Sequence, residues 1–196
     1  KTVVVPTHRY VITVYDAGGQ PLHTARYDVE FGSERRIDLS PFISAPLGCE
    51  LGIGSVEIRR HALFPGFRGT TRPHFEVLAR QSSCALHSQG AGSSPANRLT
   101  SFFFPESTRL IFTVVNASDE DIAIDFEAPA DHAERERVNI VVPPRGARIF
   151  EPRLTPALTE RLHGQLVTYQ YRCRGRARVH VLSASPSLDR ISIDHL

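Results

Sequence analysis

The chain has 196 residues, 41% of them hydrophobic, which is an ordinary content for a folded protein that buries a core, so extensive disorder is not expected. Its 23 Lys and Arg residues nearly balance 21 Asp and Glu residues, giving a formal net charge of +2. This balance argues against a protein that coats nucleic acid, and no apolar run approaches the roughly 20 residues of a membrane-spanning helix. We therefore expect neither nucleic acid as a partner nor insertion into a membrane.

Alternation of apolar and polar residues with a period of two dominates the first half of the chain and is typical of β-strands. Ile12 and Val14 share one face of the first such stretch, and the turn residues of 16–21 predict a hairpin. Further strands are predicted in three stretches, 35–43, 52–64 and 72–80. Residues 81–94 are rich in Ser and Gly and have no period, so they are interpreted as a long loop or linker.

The second half repeats this order. A strand that ends near Asn116 is followed by a polar turn and by alternation from Ile122 onward. Pro143 and Pro144 exclude a central place in a hydrogen-bonded ladder. The stretch 164–182 is interpreted as two strands about its glycine at 175.

One short helix of one or two turns is predicted at 155–164. Thr155 supplies its cap, Pro156 its first position, and Gly164 follows its end.

Many short strands, separated by turns at intervals near ten residues, predict an all-β fold with very little helix, built as antiparallel β-sandwiches. The turns at Asp16 and Asn116 lie one hundred positions apart, which favours two similar modules in tandem. The predicted division is a first β-sandwich module at 1–88, a linker or long loop at 89–106, and a second module at 107–196.

Three runs in the second half, VVNASDEDIAIDFEA, IVVPPRGARIF and RARVHVL, resemble the β-sandwich module of the sensory rhodopsin transducer family and of small bacterial Ig-like modules. The resemblance lies chiefly in residues 108–184 and extends to the first half through TVYDAGGQPL and EFGSERRIDL. It implies a bacterial β-sandwich that binds a partner or ligand and often forms oligomers. A signalling adaptor coupled to a receptor is the alternative function that this resemblance implies.

The stretch SSCALHSQG places Cys84 and His87 close together, so a thiol nucleophile beside an imidazole base is one hypothesis, corresponding to a hydrolase-like enzyme. A polar loop with a half-buried cysteine is the simpler interpretation, because catalytic groups usually come from distant segments. No close pair of His or Cys with zinc-ligand spacing is present, and we expect neither a metal nor a cofactor. No catalytic residue is assigned.

Cys49, Cys84 and Cys173 are widely spaced and odd in number, so at most one internal disulfide can form. This pattern leaves the compartment open between the cytoplasm and a mature secreted or surface protein. Cys173 is in phase with Val167 and Tyr169 on a predicted strand, so we expect a buried free thiol there.

Basic side chains alternate with apolar ones near the C-terminus and predict a cationic stripe on one sheet face. Its members are Arg172, Arg174, Arg176, Arg178 and His180. Neutralisation by Glu127, Glu134 and Glu136 across the sheet is the alternative. Two loops supply further candidates for ligand contact, namely Phe64, Phe67, Arg68, His87 and Gln89.

The repeated sandwich pattern and the missing catalytic signature favour a non-enzymatic binding or assembly module over an enzyme. Its expected partner is a protein or an acidic glycan, recognised through sheet-face and loop surfaces, and a homo-oligomer is compatible with the pattern.

Overall fold

A computed structural model describes residues 7–42, 51–62, 74–87, 96–103, 109–128, 136–152 and 156–195. Within these ranges the chain is all-β, with thirteen strands arranged in four antiparallel sheets, one short α-helix and one 3₁₀ turn. The all-β prediction is confirmed.

The first half forms a three-stranded sheet and a separate hairpin. Its strands are β1 (Thr7–Asp16), β2 (Pro21–Glu30), β3 (Gly54–Ala62), β4 (His74–Leu78) and β5 (Ser83–His87), with a 3₁₀ turn at Ser40–Phe42. The sheet has the order β2-β1-β3, and β4 pairs with β5. Tyr10, Ile12 and Val14 lie buried on one face of β1, as the alternation predicts.

The second half forms a sandwich of two four-stranded sheets. Its elements are β6 (Ala96–Phe103), β7 (Arg109–Asn116), β8 (Ile122–Ala128), β9 (Glu136–Val142), β10 (Ala147–Phe150), α1 (Pro156–Leu162), β11 (Leu166–Cys173), β12 (Ala177–Ala184) and β13 (Ile191–His195). The sheet orders are β10-β7-β12-β13 and β6-β11-β8-β9. The predicted helix is confirmed, and Gly164 follows it with a φ of 73° that a glycine adopts without strain.

The main core lies between these two sheets, because the inward residues of both strand sets are apolar. Phe112 of one sheet contacts Phe126 and Tyr169 of the other, with ring centroids 4.6 and 5.0 Å apart. Leu162 of α1 belongs to the same cluster. Cys173 is also part of it and is a buried free thiol, as predicted.

A second apolar cluster covers part of the outer face of the β10-β7-β12-β13 sheet. Its fully or nearly buried members are Ile111, Leu182 and Ala184, and partly buried apolar residues from β10, β13 and position 51 pack against them. The hairpin β4-β5 lies beside β13, where the Gln81 amide donates to the Asp189 carbonyl over 2.8 Å. First-half residues therefore close one side of the sandwich.

The first-half sheet docks on the sandwich through two turns. The Ala147 amide donates to the Ala17 carbonyl over 3.2 Å, and a guanidinium nitrogen of Arg148 donates to the same oxygen over 2.8 Å. Gly19 has a φ of 83°, and a Cβ there would lie 1.9 Å from the Pro144 carbonyl oxygen. Only glycine fits this approach.

Arg145, between β9 and β10, forms ion pairs with carboxylates of β3 and of the β7-β8 turn. Its guanidinium lies 3.0 Å from a carboxylate oxygen of Glu57 on β3 and 2.5 Å from one of Asp119 in the β7-β8 turn. Tyr15 donates to Glu57 over 3.3 Å, and burial together with the charge of Glu57 raises the pKa of this phenol. The partly buried Arg145–Glu57 ion pair thus reinforces the backbone contacts between the halves, whereas Asp119 is exposed and lies in the same half as Arg145.

Buried Asn116 holds the β7-β8 turn against the end of β9. Its side-chain amide donates to the carbonyl oxygens of Glu120, Val142 and Pro143 over 2.7, 3.1 and 2.9 Å. Its side-chain oxygen accepts from the amide and hydroxyl of Ser118 over 2.8 and 2.6 Å. Every polar atom of this side chain is therefore satisfied at a position that is 1% exposed.

Three local predictions differ from the structure. Residues 35–39 form no strand, and only the 3₁₀ turn at Ser40–Phe42 follows them, stacking Phe42 on His23 with ring centroids 4.1 Å apart. The stretch interpreted as a loop contains β5, and the expected linker 89–106 contains β6, which pairs with β11. Neither strand was predicted, because polar side chains interrupt the alternation of each. Pairing with a neighbouring strand specifies such strands as well as their own residue pattern does.

Two similar modules are not confirmed, since the described first half is a three-stranded sheet and a hairpin whereas the second half is two four-stranded sheets. The division into domains stays a prediction.

Candidate binding face

The predicted cationic stripe does not lie on one sheet face. Arg172 is on β11 and Arg178 on β12, and these consecutive strands belong to opposite sheets of the sandwich. The connection that carries Arg174 and Arg176 crosses from one sheet to the other. The prediction assigned the direction of each side chain correctly within a strand but assumed that consecutive strands pair.

The two β12 members of the stripe lie on the covered side. Arg178 and His180 are half-buried, and the imidazole of His180 is 3.4 Å from the hydroxyl of Thr113 on β7. Val179 and Val181 face the core between them, as predicted. His180 is the next residue to Leu182 of the second apolar cluster on this face of β12, and Arg178 lies one position farther along the same face.

Arg172 belongs instead to a polar surface on the outer face of the β6-β11-β8-β9 sheet. We call this surface the polar face; it comprises Asp125, Glu127, Arg137, Asn139, Gln170 and Arg172. Strand register arranges these residues in two rows across β11, β8 and β9. One row is Gln170, Glu127 and Arg137, and the other is Arg172, Asp125 and Asn139.

Each row has a carboxylate on β8 at its centre. In the first row the amide is on β11 and the guanidinium on β9, and in the second row these two positions are exchanged. On the β9 side both carboxylates are engaged. Arg137 lies 3.2 Å from Glu127, and the side-chain amide of Asn139 donates to Asp125 over 2.7 Å. On the β11 side, exposed Arg172 is in register with Asp125, but its guanidinium makes no hydrogen bond or ion pair with any described residue.

These residues, with Phe126 and Val138, line a shallow depression of about 290 Å³. Its two guanidinium groups and two carboxylates sum to zero formal charge. The face offers donors from arginine, acceptors from carboxylates, and both from amides. It is therefore suited to a ligand that both donates and accepts hydrogen bonds, whereas a purely anionic ligand would meet the like charges of Asp125 and Glu127.

The surroundings of Cys84 do not favour the thiolate that the hydrolase hypothesis requires. Cys84 is half-buried on β5, and burial raises the pKa of its thiol, although a backbone hydrogen bond from Ile193 acts in the opposite direction. A nucleophilic cysteine needs a lowered pKa. The side chain of His87 lies outside the described residues.

The remaining loop candidates, Phe64, Phe67, Arg68 and Gln89, lie outside the described residues, as does Cys49. Within the described ranges, no group of three or more His, Cys, Asp or Glu residues is placed to hold a metal ion. No helix in that part of the chain is long and apolar enough to cross a membrane.

Sequence reasoning named Arg172 and, as a neutralising group, Glu127, and it missed the other four residues of the polar face. Alternation along β8 and β9 could have identified the outward polar residues of these strands. On β8 the polar positions are Asp125 and Glu127, and on β9 they are Arg137 and Asn139, each next to apolar residues that face the core. The adjacency of β11 to β8 is a long-range pairing, and no local pattern specifies it.

Comparison of the chain with protein-family models, with curated proteins and with solved structures finds no match.

Proposed function

We propose that this chain is a non-enzymatic binding module that recognises a protein or glycan partner through the polar face. The observation that carries the proposal is the exposed guanidinium of Arg172, which has no described partner and borders a depression lined by donors and acceptors. An arginine fork can engage a ligand in two parallel hydrogen bonds without first breaking an internal ion pair.

The arrangement of the sandwich supports the same choice of face. First-half residues and the second apolar cluster occupy part of the opposite outer face. The described strands beneath the polar face hold it in place, because β8 is hydrogen-bonded to β9 on one side and to β11 on the other. Sites on strands are positioned more rigidly than sites on loops.

The test compares Arg172→Gln with Arg174→Gln on a glycan array and on a library of displayed peptides. Both arginines are exposed and the substitutions remove the same charge, but only Arg172 lines the depression. We expect Arg172→Gln to weaken binding of a selected ligand by about 1–3 kcal/mol, the range for a charge-assisted hydrogen bond, and Arg174→Gln to leave it nearly unchanged.

Equal affinity of Arg172→Gln and the unsubstituted protein for every selected ligand would remove the polar face from consideration. Binding that falls equally with both substitutions would indicate attraction by net charge and would also contradict the proposal.

A further inference from the structure

The edges of the sandwich differ in what lies beside them. At β13, the Ile191 amide donates to the Ser82 hydroxyl over 2.8 Å, next to β5. At β10, the Ala147 amide donates to the Ala17 carbonyl. First-half residues thus protect both edges of the β10-β7-β12-β13 sheet.

The edge at β9 has no such neighbour among the described strands, because β9 is hydrogen-bonded to β8 alone. Natural edge strands are usually protected by charged side chains, lysine above all, by proline, by a bulge or by shortness. β9 has seven residues and contains neither proline nor lysine, its charged residues Glu136 and Arg137 lie at one end, and it pairs with β8 over seven positions without a shift in register. Val141 on its outer side is 54% exposed.

The sequence of β9 is compatible with antiparallel pairing to a second copy of itself. Centring the pair on Asn139 overlaps all seven residues and places Asn139 opposite its own copy, where two amides can exchange hydrogen bonds. Arg137 then faces Val141 of the other copy, so no like charges stand directly opposite on the outer side. Val138 faces Ile140 on the inner side, where both are only partly buried.

We propose that the chain forms a two-fold homodimer in which β9 pairs with β9 of a second copy in this register. The two β6-β11-β8-β9 sheets become one continuous eight-stranded sheet, and both polar faces lie on the same side of it. A closed two-fold contact of this kind uses the same surface on both copies. The dimer does not depend on the proposed function of the polar face.

The register makes opposite predictions for two substitutions at one exposed position. Val141→Lys places a positive charge opposite Arg137 of the other copy twice per dimer, and Val141→Glu places a negative charge there twice. Both remove the same apolar side chain. Sedimentation velocity over a wide range of protein concentration should find a dimer for the unsubstituted chain. Val141→Lys should raise the dimer dissociation constant about tenfold. Val141→Glu should give a dissociation constant that is lower than that of Val141→Lys by more than this factor of about ten.

Gln170→Lys is the matched control, because it adds the same charge to the same outer face on β11, away from the edge. It should leave the dissociation constant within about twofold of that of the unsubstituted chain. Thermal melts of each variant establish that the monomer is folded.

A second measurement tests the centre of the register. Asn139→Cys should form an intermolecular disulfide under mild oxidation, whereas Gln170→Cys should not. A chain that stays monomeric at all concentrations overturns the proposal. So does a dimer whose dissociation constant is the same for Val141→Lys and Val141→Glu, since its interface would lie elsewhere.

Discussion

The two sheets of the sandwich differ in what their outward side chains are, and this difference decides what lies against them. On β7 and β12 the outward positions include Ile111 and Leu182, which are buried. On β8 and β9 they include Asp125, Arg137 and Asn139, which are exposed. A strand that is apolar on both faces needs cover on both, whereas strict alternation leaves one face to solvent.

The largest expected effect tests the covered side. Ile111 is 0% exposed, so Ile111→Ala removes buried methyl groups and leaves a cavity. We expect a loss of about 3 kcal/mol in the free energy of unfolding, measured by urea denaturation. Val141→Ala on the exposed side, measured at low protein concentration, should change it by about 0.5 kcal/mol or less. Similar losses for the two variants would contradict the distinction between the faces.

The next effect compares two asparagines of opposite exposure. Asn116→Ala leaves the carbonyl oxygens of Glu120, Val142 and Pro143 without their donor, and we expect it to cost about 2–3 kcal/mol in unfolding free energy. Asn139→Ala removes a hydrogen bond to Asp125 in solvent, and about 0.5 kcal/mol is expected. Urea denaturation of both variants measures the two losses, and similar losses would contradict the distinction between the buried and the exposed asparagine.

A smaller effect separates two arginines of the predicted stripe. Arg178 is half-buried on β12, so Arg178→Gln loses packing of its aliphatic stem and should cost about 1 kcal/mol. Arg172 is exposed, and Arg172→Gln should change the unfolding free energy by less than about 0.5 kcal/mol. Thermal melts of both variants check this order, and the reverse order would place Arg172 in a structural role.

The smallest effect concerns the rates at which two thiols react. Burial raises the pKa of both Cys84 and Cys173, so at neutral pH both are mostly protonated. Alkylation of either should be slower than that of a free peptide thiol and should accelerate as pH rises, because the thiolate fraction grows. Cys173 is only 3% exposed and should react more slowly than Cys84. Rapid alkylation of Cys84 at neutral pH would revive the hydrolase hypothesis.

Local patterns predicted the parts of this fold that are local. The β1-β2 hairpin, the turn after Asn116 and the helix at Pro156–Leu162 follow from alternation, turn residues and a proline at the first helical position. The end of β9 before Pro143, at a sheet edge, follows from the missing amide hydrogen of proline.

Strand partners could not be predicted in the same way. β11 and β12 are separated by three residues yet pair in different sheets, while β11 pairs with β6 and β8. The polar face exists only because β11 lies beside β8, so a sequence search could identify Arg172 but not its neighbours. By contrast, apolar residues at the outward positions Ile111 and Leu182 could have indicated from the sequence that the face of β12 bearing Arg178 and His180 is partly buried.

We expect the close approach of the Gly19 backbone to the Pro144 carbonyl to couple the rotation of the first-half sheet to that of the sandwich in solution. One backbone hydrogen bond to the Ala17 carbonyl, the Arg148 side-chain bond to the same oxygen and the Arg145–Glu57 ion pair oppose tilting of the first-half sheet against the sandwich. Amides of β1 and of β8 should therefore report one rotational correlation time by nuclear magnetic relaxation, set by the whole particle and not by either half. We expect a change of orientation that a ligand imposes on the polar face to be transmitted to the first-half sheet.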